Sequence, residues 1–124
     1  MAAGLPVVVS DWDGYHYTVR DGLDGYLVPT LGSPAGAPGE VLAGLHSMEL
    51  ETYQTYVGAV AQHTAVNVQY AATVIARLAD NPDLRRVMGQ AAQMRAQMMF
   101  SWPQVIRQYN DLFAELTAQR QSSD

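Results

Sequence analysis

The sequence predicts an α/β fold in which one parallel βαβ unit is followed by a run of helices. Three observations carry this. Pro6-Val7-Val8-Val9 is a short β-branched run with apolar residues on both faces, the pattern of a strand covered on both sides in a parallel sheet. A second short strand, Gly25-Tyr26-Leu27-Val28-Pro29, follows after a crossover long enough to return the chain parallel to itself, and the handedness rule makes such a unit right-handed. From Val68 onward the apolar spacing changes from the two-residue repeat of a strand to the roughly 3.6-residue repeat of a helix.

Each element has a local reason. Gly4 fits the left-handed stop of a helix whose last turn is Met1-Ala2-Ala3. The crossover, Ser10 to Asp24, holds a weak helical stretch, Tyr15-His16-Tyr17-Thr18-Val19-Arg20, that ends at Asp21-Gly22; Asp21-Gly22 and Asp24-Gly25 read as turn punctuation. Gly32 to Gly39 is a Pro/Gly/Ala loop, Glu49 to Gln62 looks helical, and no third strand is expected. Asn67 is the N-cap of a helix with the face Val68, Ala71, Ile75 and Leu78, closed before Asn81-Pro82. Leu84, Val87, Met88, Ala91 and Met98 make the face of the next helix. Met88, Met94, Met98 and Met99 are expected to fill the core, and Arg85-Arg86 to be a solvated helix start. Ser101-Trp102-Pro103-Gln104 forms a capping box with proline in the first turn and opens a last helix with the stripe Val105, Tyr109, Leu112 and Leu116. Trp102 is expected to pack on the preceding helix, and residues 120–124 to form a disordered tail.

Composition removes whole classes of chemistry. With 124 residues, 48% of them hydrophobic, the chain suits one globular domain with a real core. The longest apolar run, Leu5 to Val9, is too short to span a membrane, and no basic start precedes it as a secretion signal requires, so a cytoplasmic setting is the expectation. Absence of cysteine excludes disulfides, thiolate catalysis and Cys-based metal sites within the chain. The seven basic residues are all Arg, which excludes Schiff-base and Walker-type lysine chemistry. A net charge of -5 without a basic stripe argues against nucleic acid as a partner. His16, His46 and His63 have no Glu or His four residues on and no ligand spacing, so neither a metal site nor a cofactor is expected.

Ser10, Asp11, Asp13 and Gly14 follow the carboxyl end of a parallel strand, where open α/β sheets bind ligands. They are the candidates to face a cleft, with His16 the histidine closest to it. The plainer reading is an Asx-turn that caps the next helix. A two-stranded sheet is marginal by itself, and strands covered on both faces need neighbours at their edges. Either the chain oligomerises by strand pairing or it is the tail of a longer α/β protein.

In order, MAAGLPVVVSD, TVRDGLDGYLVPT and VIARLADNPDLRRVMGQAAQMRAQMMFSWPQVIRQYNDLFAEL resemble the carboxy-terminal part of family-4 glycosyltransferases, the large retaining GT-B family. Members typically read Glu-Ala-Met-Ala-x-Gly-x-Pro-Val-Val-x-Ser-Asp, then an Asp-Gly-x-x-Gly-hydrophobic-Val-Pro turn and strand, a helix carrying Asn-Pro-x-x-Arg, and a final Phe-Ser-Trp helix. The resemblance covers residues 1–30 and 64–117 and lies in the ordered combination. It implies that residues 1–119 are the carboxy-terminal part of a Rossmann-like nucleotide-sugar-binding domain, with 101–119 its terminal helix, and that the absent strands lie upstream. In the family, the groups that hold the donor diphosphate, ribose and sugar also lie upstream: an Arg/Lys pair, helix N-terminal amides and two glutamates spaced Glu-x7-Glu. The upstream half also carries the acceptor site and the groups that face the anomeric carbon.

By that resemblance no catalytic or cofactor-binding residue falls within this chain, Met1, Ala2 and Gly4 support the donor site from behind, and the chain alone is inactive. The nucleotide-sugar donor is then a partner only of the full-length protein. The interposed stretch 31–66 departs from the family pattern, and its Glu49-to-Tyr56 segment is either a lid or acceptor-recognition element over the cleft or an extra helix on the sheet's flank. Two functions stand side by side: part of a retaining glycosyltransferase, or a non-catalytic assembly module that forms a homo-oligomer, or pairs with another chain, through its sheet edges.

Overall fold

Val7–Ser10 forms β1 and Gly25–Val28 forms β2 in the computed structural model, which describes residues 1–32 and 38–123. The two strands are parallel, with Val7 opposite Gly25 and Ser10 opposite Val28. Between them lies the short helix α1, Tyr15–Thr18. The β-strand-helix-strand unit expected from the apolar runs is therefore present, and the rest is mainly helical. The chain continues through β3 (Thr30–Leu31), α2 (Pro38–Ser47), α3 (Tyr53–Gln62), β4 (Ala65–Val66), α4 (Val68–Asp80), α5 (Pro82–Met99) and α6 (Trp102–Ser123). No described helix is long and apolar enough to cross a membrane.

Helix signals in the sequence do what their chemistry dictates. The Asn67 side chain accepts from the Tyr70 N–H and the Asn81 side chain from the Leu84 N–H, each satisfying a first-turn donor, and Pro82 sits in the first turn where it sacrifices no hydrogen bond. Thr52 caps α3 in the same way through Thr55 N–H. Gly4 has φ +72 and donates to the Met1 carbonyl, as a left-handed stop requires.

Val8 and Tyr26 face α4 and α5, where Tyr26, Val74, Leu78 and Met88 form the core and Val8, Tyr70 and Leu84 pack around it. The close approach is built on glycine: a Cβ on Gly89 of α5 would collide with the Gly4 carbonyl, and one on Gly25 with the Val7 carbonyl. Burial departs from the expected faces in several places. Val74 takes the central position of α4, whereas Val68 and Ile75 are exposed. On α5, Met88 and Ala92 are buried but Val87, Met94, Met98 and Met99 are exposed, so only one of the four methionines fills the core. All of β1 is half-buried, including Val8, which packs on the α4–α5 side.

Several polar residues also do more than the sequence suggests. Asp24 is completely buried, accepting from the Arg20 backbone N–H at 2.7 Å and the Arg20 Nε at 2.6 Å, so it is an internal clamp rather than mere punctuation. Arg95 of α5 stands 3.9 Å from the same carboxylate and donates to the Thr18 and Tyr17 carbonyls, tying α5 to the end of α1. Arg85 is not a solvated residue; it reaches back to the Leu78 and Ala79 carbonyls and closes the end of α4, a favourable place for a cation. Arg86 is exposed, as expected of a solvated helix start, and lies 3.4 Å from Asp83.

The 31–66 stretch contains two helices, and its ends meet: Thr30–Leu31 pairs antiparallel with Ala65–Val66, strands absent from the sequence reading. Two-residue strands leave no periodicity to read. The expected Gly32-to-Gly39 loop falls at 33–37 outside the described residues, and α2 already begins at Pro38. At the other end α6 continues past Gln119 to Ser123, with Arg120 in its last turn where the helix dipole favours a cation. Trp102 is 78% exposed: the α5–α6 junction is closed by Ser101, Gln104 and Val105, which leaves the indole outside.

Candidate functional site

β1 ends at Ser10, and the segment after it is held down by one backbone bond that continues the sheet and one side-chain bond beside it. The Asp11 N–H donates to the Val28 carbonyl at 2.8 Å, and the Asp11 carbonyl accepts from the Thr30 hydroxyl at 2.7 Å. The next residues therefore project from a fixed base at the carboxyl end of two parallel strands. Asp13 turns the chain in the left-handed region at φ 53, a conformation that Asp tolerates better than most side chains. Gly14 then starts α1 with no side-chain cap, so neither Asp11 nor Asp13 makes the Asx-type cap that was the plainer reading.

The candidates divide into two groups. Asp11 and His16 come together, with Nδ1 of the ring 3.6 Å from the carboxylate and both side chains 46% exposed. His16 also lies against Tyr17, at 4.0 Å between ring centroids. Asp13 points elsewhere: with Trp12 it lines a hollow whose other wall is Tyr53, Tyr56, Val57 and Val60 of α3. Ser10 is the half-buried end of β1. Met1, Ala2 and Gly4 lie before the opposite end of β1, where Gln93 of α5 donates to the Ala2 carbonyl and Gly89 abuts the Gly4 carbonyl. They do not join the group at the carboxyl end.

The hollow's far wall comes from the interposed stretch: Tyr53 and Tyr56 belong to the Glu49-to-Tyr56 segment, and Val57 and Val60 lie just beyond it. Tyr53, Tyr56, Val57 and Val60 recur at helical spacing, which places them on one side of α3. Tyr56 stacks on His46 of α2, with centroids 5.3 Å apart and planes within 6°, and His46 Nδ1 lies 3.1 Å from the Glu51 carbonyl oxygen. Trp12 was not a candidate on sequence grounds, although an indole beside the Asp of a strand-end loop is a signal that could have marked it. Among the described residues no group of three His, Asp or Glu side chains could hold a metal ion. No family model, curated protein or solved structure matches the chain.

Proposed function

We propose that this chain is the carboxy-terminal part of the Rossmann-like, nucleotide-sugar-binding domain of a retaining glycosyltransferase, and that it transfers no sugar alone. The observation that carries this reading is the inequality of the two sheet edges. On the outer edge of β2, the Asp21 carboxylate accepts from the Leu27 N–H and the Gly22 N–H donates to the Gly25 carbonyl, so the turn before the strand closes that edge. Among the described residues β1 has no strand partner besides β2. A sheet arranged in this way grows beyond β1 only. β2 is then its last strand, and β1 takes the neighbour that precedes it in the longer protein. Val7 and Val9, half-buried on the face away from α4 and α5, suit the same interpretation.

In this reading Met1, Ala2 and Gly4 support the helix that carries the donor-binding glutamate, and Ser10, Asp11, Asp13, Gly14 and His16 border the transfer cleft. The test is the coding sequence upstream of Met1, followed by calorimetry. An in-frame Glu-x7-Glu and an Arg/Lys pair are expected, with nucleotide-sugar binding by the extended protein and none at micromolar concentration by this chain. A stop codon directly upstream would end the proposal. The open β1 edge favours a second reading, an assembly module that pairs through that edge; it requires the stop codon together with a dimer in light scattering.

A further inference from the structure

We propose that the hollow between the β1–α1 loop and α3 is a saccharide-binding site, its occupant under the glycosyltransferase reading being the distal end of a saccharide acceptor. The lining contains the two kinds of group that a pyranose needs. Trp12, Tyr53 and Tyr56 bring aromatic rings to the lining, the kind of surface on which the apolar C–H side of a sugar ring packs, and Val57 and Val60 supply apolar surface beside them. The Asp13 carboxylate, which makes no hydrogen bond or ion pair with any described residue, is free to accept from sugar hydroxyls.

The site is also held in place. Trp12 and Asp13 stand one and two residues beyond Asp11, which is bonded to the Val28 carbonyl and the Thr30 hydroxyl, and Tyr56 is braced by its stack on His46. Its position at the carboxyl end of parallel strands is where open α/β sheets take ligands.

A small organic cation is the competing occupant, since aromatic rings and a carboxylate attract one. That mode is strongest where the charge is enclosed and desolvated, and weaker at an open site. Tyr53 is 63% exposed, so the hollow is open on one side, which suits the end of a longer saccharide.

The test is a proton–nitrogen NMR titration of the full chain with methyl α-glucoside, methyl α-mannoside and methyl α-galactoside, each to about 50 mM, a range that reads millimolar affinity. At least one sugar is expected to shift the Trp12 indole signal and the Asp13, Tyr53 and Tyr56 amides in a saturable way. Tyr53→Ala, at an exposed position, and Asp13→Asn, which tolerates the same left-handed turn, should each weaken the response by about tenfold with the rest of the spectrum unchanged. No shift with any of the three sugars, or shifts that both variants leave unaltered, would overturn the site. A response to tetramethylammonium without one to sugar would overturn it in favour of a cation. The two proposals fail separately: sugar binding with an upstream stop codon removes the transferase and keeps the site, whereas an upstream Glu-x7-Glu without sugar binding removes the site and keeps the transferase.

Discussion

Helices α4 and α5 on one side, and α6 on the other, carry apolar stripes of similar spacing and end in opposite situations. Val74, Leu78, Met88 and Ala92 are buried, while Tyr109, Leu112 and Leu116 are each about half exposed or more. The difference lies in what the chain places opposite each stripe. α4 and α5 lie against Val8 and Tyr26 of the parallel strands, whereas every residue of α6 from Ile106 to Ser122 is exposed. An amphipathic period states that a helix has a face to bury; it does not state that this chain supplies the partner. In a longer protein of the kind proposed, that partner belongs to the other domain.

The sharpest way to break the comparison is to remove a residue from the buried side. Met88 is 2% exposed and sits at the centre of the core, so Met88→Ala should cost about 3 to 4 kcal/mol through lost contacts and the cavity left behind. Urea melts that show less than about 1 kcal/mol would mean that the α4–α5 pair is not the stabilising unit. Asp24→Asn comes next, at about 2 kcal/mol. The amide keeps the shape but presents a donor where Arg20 offers its own backbone N–H and Nε. Arg20 is 47% exposed, and water relieves part of the loss, which keeps the cost below that of breaking a fully buried pair.

The features legible in the sequence were those fixed by short-range chemistry. Asn67 and Asn81 cap helices because an Asx side chain reaches a donor three residues on, and Gly4 turns left-handed because it has no Cβ. The parallel pairing of β1 and β2 was legible from crossover length. What escaped depends on contacts distant in sequence. Nothing near Asp24 announces that Arg95 will approach it, and nothing near Tyr53 announces Trp12. For the proposed site, the sequence named the strand-end loop with Asp13 and, separately, the Glu49-to-Tyr56 segment that proves to face it. Trp12 was missed, and Asp11 and His16 proved to form a group apart from Asp13.

The caps lie between the extremes of the comparison because they are local and exposed. Asn67→Ala and Asn81→Ala should each cost about 1 kcal/mol, the ordinary value of a lost N-cap bond. Asn81 sits at the α4–α5 turn, so its loss should also speed amide exchange at Leu84. Equal exchange in the variant and the parent would show that the turn is held by Pro82 and Arg85 without it.

The smallest effect belongs to Trp102 and Leu116, and it is the one that tests what α6 is doing. The sequence suggested a local anchor at Trp102, in which case Trp102→Ala would cost as much as a core aromatic, about 3 to 5 kcal/mol. The indole is instead 78% exposed and Leu116 51% exposed, which gives both residues little to lose. Trp102→Ala and Leu116→Ala should each change stability by no more than about 0.5 kcal/mol in urea melts of dilute protein. If either costs more than about 2 kcal/mol, the helix is covered in solution and the cost should grow with protein concentration, because association stabilises by mass action. A large cost at every dilution would instead place α6 against its own core, and the contrast between its exposed stripe and the buried faces of α4 and α5 would have to be abandoned.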